Sequence, residues 1–363
     1  MPSKDIRIMD ALRGIAIINV LVLHTFGFYT GKLPIYQFFG AMAVPLFFAV
    51  SGFCICYGIF YSSFAGKPTD WKIFFARRFH RIYPPYIIAV VLFFLKVVLI
   101  ESLKGRPLPA WEIGQMIFFN TTLLQVVMGD ITVVNPAFWS LCVEMQFYVV
   151  VGLVLLLGKY SKLAGRLVGG LLVLASITVK FLYDAGHVPL ASGTWFIFFP
   201  NYVNHFALGA ALAWIAIHRG SMATLRPLQR LPHFLPAVLA CLLLIVSERY
   251  GWCIALVMVV SVTLESAGQG TIAYKAINNP VFRFMGARSY SIYLVHGFGI
   301  VAMSVFGARQ MAAHPLLGIL CLVATWLVAI GGGWLYYIFV EKKFMNRRKP
   351  TGTPVVASPT AVP

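Results

Sequence analysis

Apolar residues run in long stretches along this chain, and polar positions gather in short breaks between them. A helix needs about 20 apolar residues to cross the hydrocarbon core of a bilayer. Stretches of that order lie near 9–29, 36–61, 83–100, 137–158, 166–184, 195–217, 234–248, 251–267, 287–306 and 315–340. The pattern predicts an all-α, polytopic membrane protein with about ten transmembrane helices. Only Glu248, Arg249 and Tyr250 divide the seventh stretch from the eighth. The first stretch reads as a span and not as a cleaved signal: it is long, it carries Arg13 and His24, and no small-residue cleavage site follows. Between the third and fourth spans, Ile113–Val127 is largely apolar but too short to cross. It is expected to be a re-entrant or interfacial helix over an outward-facing cavity. Residues 1–345 read as one membrane domain. The stretch 346–363, rich in Pro, Thr, Ala and Val, reads as a disordered cytoplasmic tail.

The cations orient this arrangement. Of 29 Lys and Arg residues, 21 fall in segments on the side of the N-terminus, 5 on the opposite side and 3 (Arg13, Lys96, Lys180) within spans. Basic residues collect in cytoplasmic loops, so both chain ends are cytoplasmic. The formal charge of +18 therefore belongs to short loops. It does not mark a nucleic-acid surface, because no soluble basic domain is there to carry one. Only 11% of residues are charged, against about 25% in soluble domains, so lipid must be the solvent for most of the surface. The six cysteines all lie in apolar runs and read as small packing residues. No Gly-rich phosphate loop, internal repeat or metal-ligand spacing is present.

Ionisable groups inside a membrane cost about 2.5–3.5 kcal/mol each on insertion scales and are functional candidates by default. Arg13 and His24 are eleven positions apart in the first span. Eleven helical residues turn through three turns plus about 20°, so the two side chains share a face, about 16 Å apart along the axis. Arg13 lies toward the cytoplasm and His24 toward the outside. The plain alternatives are an arginine snorkelling to the interface and a hydrogen-bonded core histidine. In the fourth span Ser140, Glu144 and Tyr148 form one polar stripe. Glu144 is expected at a depth similar to His24, where the two would meet across a cavity; the alternative is a structural glutamic acid between helices. Arg77, Arg78 and Arg81 precede Tyr83-Pro84-Pro85-Tyr86, and the prolines are expected to stop a helix there. Arg78 and Arg81, one turn apart, suit a shared anion, or else the cluster meets anionic lipid. Ser289, Tyr293 and His296 share a face of the ninth span, as site-lining groups or as a polar helix contact.

Together these segments resemble the acyltransferase-3 family of bacterial integral membrane acyltransferases. The resemblance rests on Leu12-Arg13-Gly14-Ile15-Ala16 followed by His24, on Pro45-Leu46-Phe47-Phe48-Ala49-Val50-Ser51-Gly52-Phe53, and on Arg78-Phe79-His80-Arg81-Ile82-Tyr83-Pro84. It continues through Trp139-Ser140-Leu141-Cys142-Val143-Glu144 with Phe147-Tyr148, then Ser291-Ile292-Tyr293-Leu294-Val295-His296, and ends at Glu341. The resemblance implies transfer of an acyl group, most often acetyl, from cytoplasmic acyl-coenzyme A to a hydroxyl of an extracytoplasmic or lipid-linked saccharide at the bacterial inner membrane. It implies no permanently bound cofactor or metal. It marks Arg13 and His24 as essential, Arg78 and Arg81 as important for the donor, and Glu144 as part of the site. Some members carry an extracytoplasmic hydrolase-like domain at the C-terminus; the expectation here is transfer without one, which leaves the acceptor open.

That chemistry fits the residues. Coenzyme A carries several phosphates, and a cytoplasmic mouth of Arg13, Arg77, Arg78 and Arg81 would hold them. The thioester arm would thread along the first helix toward His24. Two roles are open to His24: general base on an acceptor hydroxyl, or acceptance of the acyl group itself. Glu144 would orient His24 or bind the saccharide, with Ser140, Tyr148, Tyr293 and His296 lining the site. The rival class is a proton-coupled exporter of a glycolipid or saccharide, since buried Arg, His and Glu also serve proton relays; the lack of a repeat between the halves speaks against it.

Overall fold

A helix occupies each of the ten apolar stretches in the computed structural model, which describes residues 6–29, 34–124, 134–187, 199–223, 227–247, 249–267, 269–311 and 314–345. They are α1 (Arg7–Tyr29), α2 (Pro34–Phe64), α3 (Trp71–Leu103), α5 (Trp139–Tyr160), α6 (Lys162–Asp184), α7 (Phe199–Ala223), α8 (Pro227–Ser247), α9 (Gly251–Ala267), α12 (Ser289–Met311) and α13 (Pro315–Tyr336). The last continues through a π-helical turn, Tyr337–Glu341, to Met345. Between them lie α4 (Ala110–Thr122) and two short helices that the apolar pattern does not reveal, α10 (Ile272–Ile277) and α11 (Pro280–Ala287). No strand occurs among the described residues. Six described helices are long and apolar enough to cross a membrane, and shorter apolar ones accompany them. The protein is an all-α, polytopic membrane protein. The 346–363 tail lies outside the described residues.

Burial follows from the solvent. Leu92, Leu95 and Leu99 on α3, Leu167, Leu171 and Leu174 on α6, and Leu320, Val323 and Leu327 on α13 are exposed large apolar residues at helical spacing, the belt a bilayer would cover. By contrast α1 is enclosed: Ile8, Met9, Ala11, Leu12, Ala16, Ile17, Val20 and Leu21 are all 0–1% exposed. Without a hydrophobic drive between helices in lipid, close packing at small residues holds them together. At Gly286 of α11 an ideal Cβ would lie 1.6 Å from the Asp10 carbonyl oxygen, and at Gly14 of α1 it would lie 1.9 Å from that of Phe282. Gly52 on α2 and Gly209 on α7 make a second such crossing, each closer to the other helix's backbone than any Cβ allows. These two crossings fix the helices that carry Arg13 and Ser51.

The three cations within spans are all occupied. Arg13 pairs with Asp10 at 3.2 Å. Lys180 reaches Asp184 and Asn201, each at 3.2 Å. Lys96 sits over the faces of Phe93 and Phe298, 4.7 and 5.5 Å from the ring centroids.

One sequence expectation changes. Pro84 and Pro85 do not stop a helix; α3 runs through both. Prolines survive inside membrane helices when neighbouring groups satisfy the disturbed backbone. The carbonyls that lose a helical donor are those of His80 and Arg81; beside them the Tyr290 hydroxyl donates to the Ile82 carbonyl at 2.7 Å and the Tyr336 hydroxyl to that of Pro85, which ties this stretch of α3 to α12 and α13. Arg77, Arg78 and Arg81 therefore stand on the same rigid element as the span. The described part of the apolar stretch after α3 forms α4, and residues 125–127 of that stretch lie outside the described residues. The Tyr83 and Tyr86 hydroxyls donate to the carbonyls of Thr121 and Asn120, at 2.9 and 2.7 Å. So α4 doubles back along α3, and its far end lies beside residues about twenty positions before the end of α3, some 30 Å back along the axis. A 3₁₀ turn, Pro136–Phe138, capped by the Asn135 side chain, leads into α5.

Candidate active site

Arg13, Arg78, Arg81 and Glu144 line one cavity of about 100 Å³, with Ser51, Ser140, Tyr148, Ser289, Tyr290 and Tyr293 as its other polar walls. Phe47, Phe48 and Ile82 are among its apolar walls. Five elements meet here: α1 brings Arg13, α2 Ser51, α3 the arginine pair, α5 the Ser140–Glu144–Tyr148 stripe and α12 Ser289, Tyr290 and Tyr293. The stripe follows from i, i+4 spacing on a single helix. The arginine pair follows from i, i+3 spacing on α3, which turns Arg78 and Arg81 inward together. Arg77, one position earlier, is exposed and is not part of the wall.

The Glu144 carboxylate is held by two donors on one oxygen. Ser51 Oγ donates to Oε1 at 2.7 Å and the Tyr148 hydroxyl at 2.5 Å. The Arg78 guanidinium lies 5.8 Å from the ring centroids of both Phe74 and Tyr148, so two aromatic faces help to hold it. No ion pair joins Glu144 to an arginine among the described residues. Three guanidinium groups against one carboxyl leave the cavity an excess of positive charge, which suits a polyanion. Ser51 and Asp10 have parts that the charge pattern alone does not reveal. Ser51 sits in the quoted Pro45–Phe53 segment, and Asp10 precedes Arg13 by one helical turn.

His24 is elsewhere. Its ring partner is His296, with His24 Nδ1 and His296 Nε2 3.0 Å apart. The expected meeting of His24 with Glu144 is not what the structure shows. Because α4 doubles back along α3, α5 starts deep in the protein, and Glu144, five residues on, shares the cavity with Arg78 and Arg13 and not with His24. Tyr293 connects the two places. Its side chain lines the cavity, its hydroxyl donates to the Ala137 carbonyl, and Ser140 Oγ lies 2.7 Å from that hydroxyl. Its own carbonyl oxygen is 2.6 Å from His296 Nδ1. Beyond the ninth span, Glu341 is buried in the π-helical turn and accepts from Ser291 Oγ at 2.5 Å, which ties α12 to the end of α13.

Against known families, residues 6–338 match the model described as an acyltransferase domain. The chain is 25% identical over 90% of its length to the peptidoglycan O-acetyltransferase OatA of Listeria monocytogenes, and covers 54% of that protein. It is 24% identical to the acyltransferase MdmB of Streptomyces mycarofaciens, over 86% of this chain and 84% of MdmB. A putative peptidoglycan O-acetyltransferase of Bacillus subtilis, YrhL, is 24% identical over 92% of the chain, which covers 54% of it. The chain thus spans about half the length of OatA and of YrhL. No solved structure matches.

Proposed function

This chain belongs to the acyltransferase-3 family and is an acyltransferase, and on that premise we propose that it moves an acyl group, acetyl by preference, from cytoplasmic acyl-coenzyme A to a saccharide hydroxyl outside the bacterial inner membrane or on a lipid carrier. The observation that carries the donor half is the cavity where Arg13, Arg78 and Arg81 converge on one wall system with a single carboxyl. Phosphate and diphosphate groups bind best to guanidinium forks of this kind. A cavity of about 100 Å³ is below the roughly 300–1,000 Å³ that encloses a drug-sized ligand, so it takes part of the donor while the rest lies at the cytoplasmic mouth, where Arg77 is exposed. The O-acetyltransferase names of OatA and YrhL support a polysaccharide hydroxyl as acceptor.

In the reaction the acceptor oxygen bonds to the thioester carbonyl carbon, the carbon–sulfur bond breaks, and an ester and free coenzyme A result. His24 takes the hydroxyl proton and returns it to the leaving thiolate. Arg13 anchors the donor at the other end of the same helix face, and Glu144, fixed by Ser51 and Tyr148, shapes the cavity wall between α2 and α5. Membership of the family sets aside the exporter reading. The test is mass spectrometry of envelope polysaccharide from cells with and without this chain, paired with release of coenzyme A from acetyl-coenzyme A by the purified protein. Acyl groups that depend on the chain, and donor turnover that depends on His24, are expected; unchanged polysaccharide together with no turnover of acetyl-coenzyme A would overturn the proposal.

A further inference from the structure

We propose that His296 is a positioning residue that sets the tautomer of His24, leaving His24 Nε2 as the nitrogen that receives the acceptor's proton. This rests on the acyl-transfer reading. The Tyr293 carbonyl oxygen, 2.6 Å from His296 Nδ1, has no proton to give, so Nδ1 carries the hydrogen and donates. His296 is 1% exposed, and its hydrogen-bond partners are that carbonyl, the Ile292 carbonyl and His24. No carboxylate is among them to hold a second proton, and a buried cation without one is costly. The ring is therefore neutral, and Nε2 keeps its lone pair.

His24 Nδ1 lies 3.0 Å from that lone pair. Two lone pairs would repel there, so His24 Nδ1 bears the proton and donates to His296 Nε2. The ring centroids are 5.0 Å apart and the planes 24° from parallel. The centroids are farther apart than the nitrogens, which places the N–H···N contact between the rings. A neutral imidazole has one N–H, so His24 Nε2 is unprotonated, and no hydrogen bond to it occurs among the described residues. The carbonyl of Tyr293, His296 and His24 thus form a chain with one polarity, ending in a free base.

Both ends of the chain are fixed. On α12 the His296 ring is held by the carbonyl three residues back, and Tyr293 is pinned through its hydroxyl to Ala137 and Ser140. On α1, Thr25 next to His24 is 2% exposed; it donates to the Leu21 carbonyl at 2.5 Å and accepts from Trp326 Nε1 at 3.1 Å. The aspartate of a serine-protease triad orients its histidine in the same sense, as the acceptor of the Nδ1 proton. Here a neutral imidazole takes that place. During transfer the hydroxyl proton passes to His24 Nε2 and then to the leaving thiolate, while the Nδ1 proton stays on His24.

The test uses the full chain, purified and returned to liposomes. Solid-state NMR of protein labelled with ¹⁵N-histidine, with the His24 signals assigned by their loss in His24→Asn, should show Nδ1–H and bare Nε2. With acetyl-coenzyme A as donor, His296→Leu should lower kcat by about a hundredfold or more, the lower end of what a placed general base contributes. Donor KM should stay within about twofold, because the donor-binding cavity is untouched. His296→Gln, whose amide oxygen can accept from Nδ1–H, should recover to within about tenfold of wild type. A wild-type His24 carrying Nε2–H overturns the proposal whatever the activity. So does a folded His296→Leu with wild-type kcat, or a folded Gln variant as impaired as Leu. If the wild type turns over no acetyl-coenzyme A, the proposed function fails separately, and the tautomer still decides the pairing.

Discussion

Gly286→Ala should disable the enzyme without unfolding it. The added Cβ would stand 1.6 Å from the Asp10 carbonyl oxygen and 2.6 Å from its carbon, whereas ordinary contact begins at 3.4 Å. The crossing must open by about 1.8 Å, the difference between 3.4 and 1.6. Both sides of the clash are backbone, so no side chain can swing away. Asp10 is also the residue that holds Arg13, at 3.2 Å, so the displacement reaches the cavity wall directly. Overpacking of this kind costs about 1–3 kcal/mol, which a fold stable by roughly 5–15 kcal/mol survives. A misplacement of about 1 Å in a reacting array, however, costs about a hundredfold in rate. The variant should insert, melt a few degrees lower, and release coenzyme A from acetyl-coenzyme A about a hundredfold more slowly. Gly331→Ala on α13, with nothing within 4 Å of its added carbon, is the control and should match wild type in both measurements. A Gly286→Ala protein with wild-type turnover would refute the claim that this crossing places Arg13.

Arg78→Lys and Arg81→Lys should each raise donor KM, because lysine keeps the charge but loses the fork, while Arg77→Lys should leave it unchanged since Arg77 is exposed and off the wall; equal effects at all three positions would reduce the cluster to a lipid contact. Glu144→Gln should lose most activity in a protein that still folds, because the amide can accept from Ser51 and Tyr148 yet carries no charge; full activity would show that the carboxylate is only a hydrogen-bond acceptor. A cysteine at Lys104 should react with an impermeant maleimide from outside intact cells and one at Lys67 should not, both positions being exposed; the reverse pattern would invert the donor side.

The helices were legible because their signal is local. Twenty apolar residues read the same wherever neighbours lie, and each of the ten stretches carries a helix. The prolines misled for the complementary reason. Pro84 and Pro85 break a helix that has only its own hydrogen bonds, whereas this stretch of α3 is also held from outside, at the Ile82 and Pro85 carbonyls, by Tyr290 and Tyr336, more than two hundred residues away in sequence. The short helices α10 and α11 were hidden because each has too few residues for a period to show.

The site divides along the same line. Face and spacing within one helix could be read: Arg13 with His24, Arg78 with Arg81, Ser140 with Glu144 and Tyr148. Depth could not, because a hydropathy profile assumes that each span starts at a membrane surface. The segment before α5 breaks that assumption. Tyr83 and Tyr86 hold the end of α4 far down α3, and α5 begins from there and not from the outer surface. Every residue counted from the start of α5 is therefore shifted toward the end of the bundle that holds Arg13, and Glu144 arrives among the arginines. His24 lost its expected carboxylate by that shift, and its partner came from α12 in His296. The separation has a chemical consequence. A carboxylate beside His24 would favour its cationic form, which cannot take a proton, whereas a neutral acceptor holds the ring in place and leaves its second nitrogen free. Under the proposed function the single carboxyl stays among the arginines, whose excess charge would meet the donor's phosphates, and the proton-accepting group stays about three helical turns away, where the acceptor hydroxyl would give up its proton.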